Sequence, residues 1–181
     1  MPHHASQKSA LRKILQEQRQ ALSPQDQALA SQTVLEIFLE KIDLKQYQNI
    51  AAYLPMPNKG ELDLNLLIQK LLDLGKNIYL PIIQKDSKKL LFKNIKNNFD
   101  FITPENLDLV LMPLVGFDAH GNRLGMGGGY YDTSFANNHK AYLLGVAYEF
   151  QELKINQIPQ DPWDIKLHAV ITHKNFYPAK D

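Results

Sequence analysis

Five of the nine glycines in this chain fall between positions 121 and 129. They sit in the segment Gly116-Phe117-Asp118-Ala119-His120-Gly121-Asn122-Arg123-Leu124-Gly125-Met126-Gly127-Gly128-Gly129-Tyr130-Tyr131-Asp132. Glycine at that density frees the backbone from its β-carbon constraint, so successive N–H groups can converge on one anion. A helix starting near Tyr130 would add its positive end. Arg123 brings a permanently charged planar fork suited to phosphate. Asp132, just past the loop, is placed to hold a magnesium ion against phosphates. The segment is not a Walker loop, because no Gly-Lys-Ser/Thr follows the glycines. It is not the dinucleotide fingerprint either, because Tyr130 stands where the third glycine belongs. A tightly turning surface loop would share this composition. The strand before it, the arginine within it and Tyr-Tyr-Asp after it favour a phosphate site.

A second set of cations lies near the start of the chain. Lys8, Arg12 and Arg19 fall at about 0°, 40° and 20° on a helix that turns about 100° per residue. They flank the apolar stripe Leu11, Ile14, Leu15 and Leu22. Side chains there can border a site while their stems pack on the core. Spacing alone favours a solvated basic edge, for Arg19 most of all.

Positioning these residues requires strands and helices in alternation. Residues 7–22 read as a helix. Ser23 caps a second helix with Pro24 in its first turn, running to about Lys41 with Ala28, Val34, Leu35, Phe38 and Leu39 inward. Buried strands are expected at 49–54, 77–82, 90–95, 109–113, 141–148 and 169–172. Asp63 can cap a helix through Leu64, Leu67, Ile68, Leu71 and Leu72 that Gly75 ends. This order predicts one domain over residues 1–181, an α/β fold whose mostly parallel sheet has helices on both faces. Ligands in such sheets sit at the carboxyl ends of strands. The loops after Leu54 and Met112 are therefore the places to search.

Composition narrows the chemistry. The chain has 181 residues, enough for one core without staples. Its net charge of +1 argues against a general nucleic-acid coat. It has no cysteine, which removes disulfides, zinc–thiolate sites, iron–sulfur clusters and thiol nucleophiles. The longest mostly apolar run, 109–117, is nine residues and contains Pro113, whereas a membrane span needs about 20. Residues 1–6 carry no apolar targeting stretch. A soluble, cytoplasmic protein that touches neither membrane nor nucleic acid is expected.

Gly121-Asn122-Arg123-Leu124-Gly125-x-Gly127-Gly128-Gly129-Tyr130-Tyr131-Asp132 resembles the signature of the 5-formyltetrahydrofolate cyclo-ligase family. Further pieces fall in that family's order: Lys8-x-x-Leu11-Arg12, Leu54-Pro55-Met56 with Glu61-Leu62-Asp63, and Gly145-Val146-Ala147-Tyr148 with Gln157-Ile158-Pro159 and Asp164. The resemblance covers most of the chain. It implies a three-layer α/β/α, Rossmann-like fold with a mixed, mostly parallel central sheet. It also implies ATP with magnesium, a reduced folate formylated on N5, and a monomer. By resemblance Lys8 and Arg12 touch ATP, and the stretch from Arg123 through Leu124, Gly125 and Met126 to Tyr131 wraps its phosphates. Met126, Gly127, Gly128, Gly129 and Tyr130 also face the folate, together with Leu54 and Glu61. Asp132 holds the magnesium.

Two positions depart from the family pattern. Met126 stands where arginine is common, which leaves one cation missing unless Arg19 or Lys59 fills the role. His168 stands at a second magnesium-linked acidic position, although magnesium prefers oxygen; Asp164 is one group that can compensate. The implied reaction is an ATP-driven cyclisation that needs charge neutralisation rather than a protein nucleophile. Glu61 would accept from the pterin ring, although without the resemblance it reads as a solvated loop acid. Two other readings stay open: a nucleotide- or folate-binding regulator without turnover, and a sugar-phosphate isomerase. Of the aromatic residues, one of Tyr130 and Tyr131 is expected to stack on a ligand while the other joins the core. Trp163 is expected to plug the packing. His3 and His4 are expected to be disordered, His139 and His173 to lie on the surface, and His120 to sit in a turn.

Overall fold

The computed structural model describes residues 2–136 and 140–180. In chain order its helices are α1 (Pro2–Gln20), α2 (Pro24–Lys41), α3 (Asn65–Asp73) and α4 (Tyr130–Phe135). Its strands are β1 (Asn49–Ala51), β2 (Asn77–Ile83), β3 (Leu90–Asn94), β4 (Phe101–Ile102), β5 (Leu109–Pro113), β6 (Gly116–Phe117), β7 (Arg123–Leu124), β8 (Tyr142–Val146), β9 (Ala169–Ile171) and β10 (Phe176–Pro178). Eight strands form one sheet in the order β10-β9-β8-β5-β1-β2-β3-β4, and β6 pairs with β7 as a separate hairpin. The inner strands β2, β1, β5, β8 and β9 run parallel. Antiparallel β3, β4 and β10 form the edges.

A parallel strand covered on both faces must be apolar throughout, and Leu109-Val110-Leu111-Met112 is fully buried. Its alternate residues separate two cores. Leu109 and Leu111 join Ile50 and Leu144 under α2 and α3. Val110 and Met112 join Ala51, Leu143 and Phe135 on the α4 side. The result is the expected three-layer arrangement. The chain winds from β1 to β2 on one side, and from β5 through β8 to β9 on the other. The crevice between the carboxyl ends of β1 and β5 is therefore a topological switch point, where α/β sheets bind ligands.

Several local expectations change. Helix α2 matches its predicted bounds, and Ser23 Oγ accepts from Asp26 N at 3.1 Å. Its buried stripe, however, is Ala30, Val34 and Phe38, at i, i+4 and i+8, while Leu39 is exposed. Helix α1 begins at Pro2 and so takes in positions expected to be disordered. Asp63 accepts from Asn65 N at 2.7 Å, but Leu64 occupies the cap position of α3. Strands β4, β6, β7 and β10 went unpredicted, because two or three residues are too few to display a period. Among the described residues no helix is long and apolar enough to cross a membrane.

Candidate functional site

Helix α1 lies over the carboxyl ends of the strands, and its cations point inward. Lys8, Leu15 and Arg19 are buried while Ile14 is half exposed, the reverse of a solvated basic edge. Lys8 Nζ donates to Asp161 Oδ2 at 2.8 Å and to Asp164 Oδ2 at 2.5 Å. Burial opposes the charge on Lys8, but the two carboxylates outweigh it and hold its pKa above the ordinary lysine value. The Asp161 carboxyl is held below its usual range, chiefly by the hydrogen bond from Lys8. His4 Nδ1 lies 3.4 Å from the other Asp161 oxygen.

Arg12 reaches the glycine loop, where its Nε donates to Gly125 O at 2.7 Å. Gly127, at φ +100°, passes so close that a β-carbon there would stand 3.4 Å from Arg12 Cζ. The loop starts from the β6–β7 hairpin, whose turn is fixed by buried Asp118. That carboxylate accepts from His120 N, Asn122 N and Asn122 Nδ2 at 2.9–3.1 Å. Arg123 follows directly. Its Nη2 donates to Asp132 Oδ1 at 2.7 Å, and its buried Nε has no partner among the described residues. The unpartnered donor leaves Arg123 equipped to bind a further anionic oxygen. Helix α4 spans six residues, so it adds little macrodipole to the loop's own N–H groups.

Two pockets share this loop as a wall. The first, about 400 Å³, holds four cations, Lys8, Arg12, Lys88 and Arg123, and three carboxylates, Asp132, Asp161 and Asp164. Leu124, Gly125, Gly127 and Gly129 also line it. The second, about 330 Å³, is mostly apolar and is lined by Tyr53, Leu54, Glu61, Pro81 and Pro113. Met126, Gly127, Gly128, Gly129, Tyr130 and Tyr131 also line it. Arg123, Gly127, Gly129 and Asp132 face both pockets.

The loop after β1 is closed by its own polar groups. Met56 N donates to buried Glu61 Oε2 at 2.7 Å, and Tyr53 OH donates to Leu62 O at 2.9 Å. Glu61 is therefore no solvated loop acid. Arg19 is only 2% exposed; its Nε donates to Lys59 O at 2.7 Å and its Nη1 to Leu114 O at 3.3 Å. Burial lowers its pKa against the opposing pull of Glu61. Gln151 Nε2 holds the same Leu114 carbonyl at 3.1 Å. Burial pushes the hydroxyl pKa values of Tyr53 and Tyr131 upward and that of Tyr148 up to about 12, so all three stay protonated beside Glu61 and Arg19.

Other sequence expectations resolve on this geometry. Met126 faces the apolar pocket, with its sulfur 3.3 Å from Gln16 Nε2. Neither Arg19 nor Lys59 lines the charged pocket, whereas Lys88, from the β2–β3 hairpin, does. His168 lies at the other end of the sheet. It accepts from Leu143 N at 2.9 Å and stacks on Tyr142, both at the start of β8. The carboxylates that face the pocket from the segment before His168 are Asp161 and Asp164. Tyr131 stacks on core Phe135, and Gly128 packs against the Tyr130 ring. His173 is partly buried against Tyr148, and His120 sits in its turn bonded to Lys180 O. His139 lies outside the described residues. Asp161 and the inward Arg19 carried no local signal, because their partners are remote in sequence, and Lys88 carried none because only the tertiary fold brings it to the pocket.

The chain matches the 5-formyltetrahydrofolate cyclo-ligase family over residues 4–173. It is 34% identical to a 5-formyltetrahydrofolate cyclo-ligase of Haemophilus influenzae, over 91% of this chain and 94% of that one. It is 32% identical to a 5-formyltetrahydrofolate cyclo-ligase of Escherichia coli K12, over 88% and 96%. Among solved structures it resembles a 5,10-methenyltetrahydrofolate synthetase from Mycoplasma pneumoniae, with a TM-score of 0.80 and 28% identity over 92% and 98% of the two chains. It also resembles the synthetase of Aquifex aeolicus, with a TM-score of 0.81 and 30% identity over 96% and 93%. A match that runs from α1 through β9 spans every element that builds the two pockets, and by it the chain belongs to the 5-formyltetrahydrofolate cyclo-ligase family.

Proposed function

We propose that this chain converts 5-formyltetrahydrofolate and ATP to 5,10-methenyltetrahydrofolate, ADP and phosphate. The observation that carries the reading is the pair of pockets, one charged and one apolar, that meet along a single glycine-rich wall. A phosphoryl group passing between two substrates needs that layout, with the reacting oxygen and phosphorus held in line. ATP takes the charged pocket, with Lys8, Arg12, Arg123 and the backbone of Leu124, Gly125, Gly127 and Gly129 around its phosphates. The folate takes the apolar pocket, with Leu54, Met126, Gly128, Tyr130 and Tyr131 along its rings. Glu61, held by Met56 N through one oxygen, accepts from the pterin N–H groups.

The formyl oxygen on N5 attacks the γ-phosphorus and ADP leaves. N10 then attacks the activated carbon, the C–O bond breaks, and phosphate departs with the N10 proton. The chain's part is electrostatic: Arg123 meets the charge that develops on the phosphoryl oxygens, and the apolar walls exclude water that would intercept the activated intermediate.

The donor set suits magnesium, because Asp132, Asp161 and Asp164 offer only oxygen. Among the described residues no three acidic or histidine side chains form a ready-made cage, and an ion shared with phosphates and waters requires none. Asp132 and Asp164 would hold it, and it would supply neutralising charge to the triphosphate. Both pockets lie within one chain, which supports action as a monomer, and we place that action in the cytoplasm.

The test is absorbance. Methenyltetrahydrofolate has a near-ultraviolet band that the formyl substrate lacks, and the band is expected to grow only when ATP and magnesium are both present. Binding of both substrates without that band would replace catalysis with a regulatory role.

A further inference from the structure

Trp163, the chain's one tryptophan, is 65% exposed, although an indole is among the side chains with most to gain from burial. It is therefore not the packing plug that sequence suggested. It stands on a rigid turn. Asp164 N donates to Asp161 O at 3.0 Å, Asp161 N donates to Asp164 Oδ2 at 2.9 Å, and Lys8 Nζ ties both carboxylates to α1. An indole carried on a braced turn and left uncovered is placed to meet a flat partner. It also lines the charged pocket, where Ala5 and Ala136 add apolar wall. Phosphates use the cations and the glycine backbone of that pocket, and they have no use for an indole face.

We propose that Trp163 is the stacking platform for the nucleobase of the bound nucleoside triphosphate, so that base and triphosphate divide the pocket between its apolar and charged walls. This rests on the assignment of ATP to the charged pocket. Stacking engages the face common to all bases, so Trp163 adds affinity for a nucleotide over bare triphosphate rather than a choice among bases.

The lone tryptophan makes a direct test possible. The whole protein, in magnesium buffer, is titrated with ATP and separately with inorganic tripolyphosphate, following tryptophan fluorescence and heat of binding. Both ligands are expected to bind, with only ATP quenching the emission. Trp163→Ala is expected to weaken ATP by about tenfold and to leave tripolyphosphate within about twofold. Trp163→Phe is expected to recover most of the ATP affinity. Because the ring is exposed, both variants are expected to melt with the parent protein. Undiminished ATP affinity in Trp163→Ala, or an equal loss for tripolyphosphate, overturns the platform while leaving the ATP assignment standing. Absence of ATP binding to the parent protein overturns the assignment and the platform with it.

Discussion

Asp132 uses a single oxygen, Oδ1, to accept from both Arg123 Nη2 at 2.7 Å and Ile165 N at 3.2 Å. It thus has a structural duty besides the proposed metal contact, and two substitutions separate them. Asp132→Asn keeps an oxygen for those donors but loses the charge. Its turnover is expected to fall by roughly ten- to hundredfold, the worth of one charge-assisted contact, and to recover in part as magnesium is raised. Asp132→Ala is expected to lose activity that magnesium does not restore, and to unfold earlier in denaturant because the buried Arg123 guanidinium loses its counter-charge. Wild-type turnover in both variants across a magnesium titration would remove Asp132 from the site. Met126 shows how a single residue can mislead. Sequence suggested that an arginine there would repair a missing phosphate contact. The side chain faces the apolar pocket, so Met126→Arg would drive a cation into an apolar wall. The expected steady-state result is a KM for folate raised by about tenfold, with the KM for ATP little changed.

At the scale of elements, α1 joins the two pockets. Its Arg19 holds the carbonyl of Lys59 in the loop after β1 and that of Leu114 just beyond β5. Gly60, at φ +61°, approaches so closely that a β-carbon would stand 2.6 Å from the Arg19 carbonyl. Arg19→Met is expected to cost about 2 kcal/mol in urea unfolding, because a buried and a part-buried carbonyl lose a charged donor. It is also expected to raise the KM for folate well above any change in the KM for ATP. Arg19→Lys is expected not to rescue, since an ammonium lacks the fork that spans both carbonyls. Equal KM shifts for both substrates would mean that Arg19 serves the fold alone. The other end of α1 depends on pH. Asp161 titrates below its ordinary value, so its contribution is complete above that value and vanishes as pH falls through the lowered one. Lys8 titrates above its ordinary value, so its share persists below that value and is lost as pH climbs through the raised one. Asp161→Asn is accordingly expected to flatten the acid limb of the stability profile and to match the parent protein once the pH is below the carboxylate range. Elements of this kind explain what could be read in advance. The glycine loop, β1, β5 and α2 carry local patterns that decide them. The inward face of α1 does not, because Lys8 is buried only through carboxylates 153 and 156 positions away and Arg19 through carbonyls 40 and 95 positions away.

The whole molecule sets its two pockets against one wall, with Arg123, Gly127, Gly129 and Asp132 belonging to each, and the proposed reaction uses that wall. Direct transfer across that wall requires both pockets to be full at once. Initial-rate plots are therefore expected to intersect, and no exchange of label between ADP and ATP is expected without folate. Parallel plots with folate-independent exchange would mean that a phosphorylated protein intervenes. The sheet order that creates this crevice was partly legible, since alternating buried strands imply a switch point somewhere. The loops after Leu54 and Met112 were already the places to search, but the direct pairing of β1 with β5 and the antiparallel edges follow from contacts between strands far apart in sequence. The clasp from Lys8 to Asp161 and Asp164 also sets an order of events during synthesis. On a ribosome α1 emerges well before residues 161–164, so Lys8 waits for both of its carboxylates until they have cleared the exit tunnel. Until then the charged pocket lacks the wall that carries Asp161, Trp163 and Asp164.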